Sequence, residues 1–201
     1  METKIKVVNT AQRIQQQICD GKCRKPRILK RVISGGQRGV DIAGVRAAKL
    51  LGIKTGGHMP EGFITQDGPK IGYKWQYGMV DDTPPLEKNG EFKPDYKTRT
   101  WKNVQEADAT IRIATDFDSY GEVCTLNAIQ HYQKLHLDIY LIPLWTIDGE
   151  TQYRIPQREL AYWIVSHGIE TLNIAGNSYN SIYDKAYAYI LNTLSIVAWE
   201  L

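Results

Sequence analysis

Val32-Ile33-Ser34-Gly35-Gly36-Gln37-Arg38-Gly39-Val40-Asp41 decides how the chain is read. Two β-branched residues run into a glycine turn, and the turn opens a segment, Val40 to Leu51, whose Ala43, Ala47, Leu50 and Leu51 share one helical face. Strand, tight turn and helix make a βα unit. The rhythm recurs along the chain. Ile53-Lys54-Thr55 reads as a second strand, followed by strands over Ala109 to Ala114, Ile139 to Leu144 and Thr171 to Ala175, with helices predicted over 122–135, 156–167 and 181–194. The expectation is an α/β protein: a three-layer Rossmann-like fold with a mainly parallel sheet of about five or more strands.

Outside this rhythm lie two segments. Residues 1–30 predict an N-terminal helix, with Asn9 or Thr10 as cap, Ala11, Ile14 and Ile18 at helical spacing and Asp20-Gly21 as stop, and then a basic linker from Lys22 to Arg31. Residues 58–98, with Pro60, Pro69, Pro84, Pro85 and Pro94, form a long loop within the 31–201 ligand-binding domain. At 42% apolar and 23% charged residues, the 201-residue chain is built to bury one core, which excludes disorder. Its formal net charge of +3 is too small for a protein that coats nucleic acid. Met1-Glu2-Thr3-Lys4 leads into no apolar signal core, and Ile139 to Ile147 falls short of the roughly 18 apolar residues of a span, so the expected location is the cytoplasm, without membrane contact. Cys19, Cys23 and Cys124 are too few and too scattered for a disulfide framework. The four histidines, His58, His131, His136 and His167, fall in different elements, so no metal site is expected.

Three turns follow predicted strands, and in a parallel sheet all three reach the same rim. The first, Ser34-Gly35-Gly36-Gln37-Arg38-Gly39, lets the backbone approach an anion at a helix N-terminus, although it matches neither G-x-G-x-x-G nor a P-loop. Arg38 suits a phosphate, a carboxylate or solvent, and Asp41 suits either the helix dipole or chemistry. The second turn is Asp116-Phe117-Asp118-Ser119-Tyr120-Gly121-Glu122-Val123-Cys124-Thr125, where Ser119, Gly121 and Thr125 are binding candidates. Glu122, placed with Thr125 in the first helical turn, is the candidate general acid or base, or else a charge at the helix end. The third turn contributes Gly176 and Asn177, for which a helix cap is the plainer explanation. Tyr73, Trp75 and Tyr77 suit stacking on a heterocycle or, more commonly, covering the core.

Ser34-Gly35-Gly36-Gln37, Gly39-Val40-Asp41, Gly56-Gly57-His58-Met59-Pro60, Asp67-Gly68-Pro69, Tyr96 to Arg99-Thr100 with Asn103, Ala107-Asp108-Ala109-Thr110 and Leu172-Asn173-Ile174-Ala175-Gly176 occur in one order over about residues 32 to 194. This pattern resembles the molybdenum cofactor carrier proteins. That family is similar to a wider Rossmann-like superfamily containing lysine-decarboxylase-like phosphoribohydrolases. The resemblance implies a phosphorylated ligand at the strand ends, either molybdenum cofactor or a nucleotide, Arg99 and Asn103 among its contacts, and a homo-oligomer, a dimer or larger. Arg38 stands where the family has a small hydroxyl residue. The hydrolases' Pro-Gly-Gly-x-Gly-Thr-x-x-Glu motif is replaced here by Asp118 to Thr125, so their catalytic pattern does not carry across. Binding as a carrier, sensor or sequestering protein, without turnover, is the leading expectation. Cleavage of a nucleotide's glycosidic bond is the alternative.

Overall fold

The computed structural model describes residues 28–199 except 142–144 and 148–149. The expected N-terminal helix, most of the basic linker, Cys19 and Cys23 lie outside the described residues. In chain order the elements are β1 (Arg31–Ile33), α1 (Val40–Leu50), β2 (Lys54–Pro60), β3 (Ile64–Thr65), β4 (Gly68–Pro69), α2 (Tyr73–Tyr77) and β5 (Met79–Thr83). Then come β6 (Leu86–Lys88), β7 (Glu91–Lys93), α3 (Tyr96–Glu106), β8 (Ala109–Ala114), α4 (Tyr120–Tyr132) and β9 (Leu135–Tyr140). The last are β10 (Trp145–Ile147), β11 (Glu150–Gln152), α5 (Gln157–Ser166), β12 (Thr171–Gly176) and α6 (Tyr183–Trp199).

Six of the strands form one sheet in the order β5-β2-β1-β12-β8-β9, and every pairing in it is parallel. Period-two alternation sends Ala109, Ile111 and Ile113 of β8, with Leu172 and Ile174 of β12 and Val32 of β1, into the main core, which α1, α5 and α6 close. The opposite face carries α3 and α4, packed on each other through Val104, Ala128 and Ile129. There the sheet presents polar residues instead. Thr110, Arg112 and Asn173 are all buried, with Asn173 Nδ2 donating to Thr110 Oγ1 at 3.2 Å. Arg112 crosses to α4, donating from Nη1 to the Glu122 carbonyl at 3.0 Å, and pairs with Asp138 on β9. Each of these buried polar side chains finds a partner within this layer, as burial requires.

Two strands differ from expectation. The long loop supplies the sixth strand, β5, whose Met79 pairs with Gly57. Its MVDDT sequence lacks an apolar run because at the sheet edge only Met79 and Thr83 are buried. The predicted strand Ile139 to Leu144 lies earlier, at Leu135–Tyr140, held in register by Ala109↔Leu135 through Ala114↔Tyr140. An edge strand buries one face, so LHLDIY alternates; residues 142–144 of the predicted strand lie outside the described residues. The rest of the long loop is short structure: the β3–β4 and β6–β7 hairpins and α2. Tyr77 is buried with Ile42, Met59, Phe63 and Met79, Tyr73 packs edge-on against it at 5.2 Å, and Trp75 is 75% exposed. No helix among the described residues is long and apolar enough to cross a membrane.

Candidate functional site

From β1 the chain moves outward through β2 to β5; from β8 it moves the other way to β9, and β12 fills the gap between β1 and β8. Loops leaving β1 and β8 therefore diverge and open a crevice at the carboxyl ends of the central strands, the place where open α/β sheets receive ligands. A cavity of about 300 Å³ occupies that crevice, at the small end of the range for small-molecule sites. Its floor is Gly35, Gln37 and Asp41 after β1, and Asn173, Ala175, Gly176 and Asn177 from β12. Ser119, Gly121, Glu122, Cys124 and Thr125 form one wall, while Tyr96, Lys97, Arg99, Thr100 and Asn103 of α3 roof it.

The first turn closes on itself. Gly36 N–H donates to Ser34 Oγ at 3.4 Å, Gln37 N–H to Asp41 Oδ2 at 3.3 Å, and Val40 N–H to the Asn177 carbonyl at 3.2 Å. The buried Asp41 carboxylate thus takes the place of an anion at the N-terminal pole of α1. Burial pushes its pKa up, against the pull of the Arg99 guanidinium, whose Nη1 lies 3.4 Å from Oδ2. Gly35 allows this approach, since a Cβ there would fall 1.4 Å from Arg99 Nη1. Ser34, Gly36 and Gly39 support the turn from beneath and do not line the cavity. Arg38 also points elsewhere: Nε donates to the Ser178 carbonyl at 2.8 Å and Nη1 to Asp67 at 3.0 Å, tying the turn to the long loop.

The helix-cap explanation of Asn177 gives way to a different role. Helix α6 begins at Tyr183, and Asn177 instead joins two rims: Oδ1 accepts from Thr115 N–H at 2.9 Å and Nδ2 donates to the Asp116 carbonyl at 3.0 Å. Nδ2 also lies 3.4 Å from Glu122 Oε1. Asn103 is a second clamp, bonding the His58 backbone through both amide atoms, at 2.8 and 3.1 Å, and so fixing α3 over the cavity. Because α4 starts at Tyr120, Glu122 stands in its first turn and Thr125 in its second, where its hydroxyl donates to the Gly121 carbonyl. At this helix end the N–H groups of Tyr120, Gly121 and Glu122 have no acceptor within the helix.

Glu122 is 3% exposed, and burial pushes its pKa up to about 7; Arg112 opposes the shift while Asp41 and Asp138 add to it. Its Oε2 is buried without a hydrogen-bond partner, and Arg99 Nε, in the roof, is likewise buried and unpaired. One acceptor and one donor of opposite charge thus stand unsatisfied around one cavity. Among the described residues no group of three or more His, Cys, Asp or Glu is placed to hold a metal ion.

The roof is only faintly marked in the sequence. Helix α3 buries only Asn103 and Val104, so its apolar periodicity is faint. Its start was nevertheless marked: Asp95 accepts from Thr98 N–H at 2.9 Å, a capping pattern written in the spacing of Asp95 and Thr98. Lys97 and Tyr120, inside stretches already singled out, also line the cavity, as do Gln66 and Tyr179, which no local motif distinguishes.

Residues 32–194 match the circularly permutated YpsA SLOG family. The chain belongs to this family. A crystal structure at 1.45 Å of the "Putative molybdenum carrier protein" from Syntrophus aciditrophicus SB is similar, with 28% sequence identity and a TM-score of 0.62 over 85% of this chain and 95% of that one. No curated protein matches significantly. In keeping with a permuted family, β1 and β12, the first and last strands described, are neighbours at the middle of the sheet.

Proposed function

We propose that this member of the SLOG family binds a phosphorylated heterocycle, molybdenum cofactor or a nucleotide, in the central cavity, as a carrier, sensor or sequestering protein. The unpaired Arg99 Nε and Glu122 Oε2 carry the reading, because buried polar atoms are nearly always satisfied and a ligand bearing both donors and acceptors would satisfy these two. The phosphate belongs at the open N-terminal end of α4, near Ser119 and Gly121 and the cations Lys97 and Arg99, since the corresponding pole of α1 already holds Asp41. The heterocycle then lies over the amide-rich floor, with Tyr96 and Tyr179 available to stack. As cargo, molybdenum cofactor would be gripped through its organic part, which the donors and acceptors of these walls fit.

Native mass spectrometry of the purified protein tests the reading. A co-purifying phosphorylated heterocycle is the expected result, and an empty protein that also fails to take up nucleoside monophosphates would overturn it. Glu122 supports a second reading. A carboxyl with a pKa near 7 suits a general acid at neutral pH, as glycosidic cleavage requires. Incubation with a panel of nucleoside monophosphates, followed by chromatography, separates the two: carriage predicts unchanged nucleotide, and multiple turnovers lost in Glu122→Gln establish a hydrolase.

Self-association belongs to the same proposal. Val123 on α4 and Leu135 and Tyr140 on the edge strand of the sheet are exposed apolar side chains that a partner copy would cover. Light scattering is expected to show a dimer or larger; a 22.9 kDa particle at all micromolar concentrations would contradict it.

A further inference from the structure

We infer that the cavity selects heterocycles presenting two adjacent N–H donors, the 2-amino-4-oxo-pyrimidine edge shared by guanine and pterins, and rejects adenine, with Glu122 as the residue that reads the edge. The inference rests on the proposed binding function and narrows its ligand class. Glu122 belongs to the cavity wall, is almost completely buried, and has one carboxylate oxygen without a partner while the other touches only Asn177 Nδ2 at 3.4 Å. A carboxylate accepts and never donates, so it complements a ring N–H beside an amino group. Adenine places a ring acceptor next to its amino donor, and against Glu122 that acceptor would face lone pairs.

The amides around Glu122 do not duplicate this role. Asn177 spends its side chain on Thr115, Asp116 and Glu122, and Gln37 spends both amide atoms on Ile64 and Gln66. The charged groups facing Glu122 are Arg112 from β8, Asp41 from α1 and Asp138 from β9. Arg112 is engaged by Asp138 and favours the carboxylate form. A ligand donating two N–H bonds favours the same form, so the edge and the charge state support each other.

Calorimetric titration at about pH 8, where Glu122 is mostly ionised, tests the inference on the full chain with GMP, IMP, AMP and neopterin phosphate. GMP and neopterin phosphate are expected to bind at least roughly tenfold tighter than AMP, with IMP, which keeps the ring N–H but lacks the amino group, in between. In Glu122→Gln, whose amide offers one donor and one acceptor, GMP and AMP are expected to come within roughly threefold of each other. Tight binding of one donor-edge ligand alone assigns the source, nucleotide or pterin. Equal binding of GMP, IMP and AMP to the parent protein overturns the inference and leaves the binding function standing, with no variant needed. A GMP preference that survives in Glu122→Gln also overturns it. Failure of all four to bind the folded protein overturns this inference, and together with an empty protein in native mass spectrometry it overturns the binding function as well.

Discussion

Gly36→Asp is expected to cost more than about 4 kcal/mol and to leave little folded protein, although the residue sits in the turn that opens the cavity. Gly36 has φ 69°, a conformation that a residue with a side chain holds only under strain of roughly 1–3 kcal/mol. Its Cβ would lie 2.9 Å from the sulfurs of both Met59 and Met79, inside the cluster that also holds Ile42 and Phe63. A carboxyl placed there enters an apolar core with no partner, at a cost of several kcal/mol more. Against the ordinary stability of about 5–15 kcal/mol, the sum is close to decisive. Gly35→Ala is the matched control: the atoms nearest its Cβ belong to the Arg99 guanidinium and the Asp41 carboxylate at the edge of the cavity, so the flexible arginine is expected to move aside and the fold to survive. Urea unfolding of the two variants checks the contrast, and a Gly36→Asp midpoint equal to the parent's would show that the turn is not packed as described.

Glu122→Gln is expected to stabilise the protein above neutral pH and to do little near pH 5. The sign follows from linkage: with a folded-state pKa of about 7 against an ordinary 4.5, the folded chain holds a proton that the unfolded chain has released. Stability contributed by this group is therefore full below about 4.5 and declines as pH rises to about 7. The gap corresponds to about 3 kcal/mol of destabilisation above the window, which an isosteric neutral amide avoids. Asp41 titrates in both proteins, so the difference between their pH profiles reports Glu122 together with its coupling to Asp41. Denaturant unfolding from about pH 5 to about pH 8 measures it, and parallel profiles would place the Glu122 carboxyl in a solvated, unperturbed setting. Such a result would also remove the basis for its reading as a neutral-pH acid.

The sequence by itself determined the layers and the rim. Alternation of short apolar stretches with helical periodicity predicts a parallel sheet with helices on both faces, and β8 falls on the predicted Ala109–Ala114, where Ala109, Ile111 and Ile113 alternate with the buried Thr110 and Arg112. Parallel strands put the turns at Ser34, Asp116 and Gly176 on one edge, whatever their side chains do. What each side chain does there was decided by contacts distant in sequence. Asp41 meets Arg99 across 58 residues, Asn177 meets Glu122 across 55, and Arg38 is drawn to Asp67 and Ser178, 29 and 140 residues away. Periodicity reports only whether a residue faces inward. Whether an inward polar group is then satisfied by its neighbours, as Asn103 and Asn177 are, or left unpaired, as Arg99 Nε and Glu122 Oε2 are, depends on which elements the tertiary structure brings against it, and the proposed binding function rests on the unpaired ones.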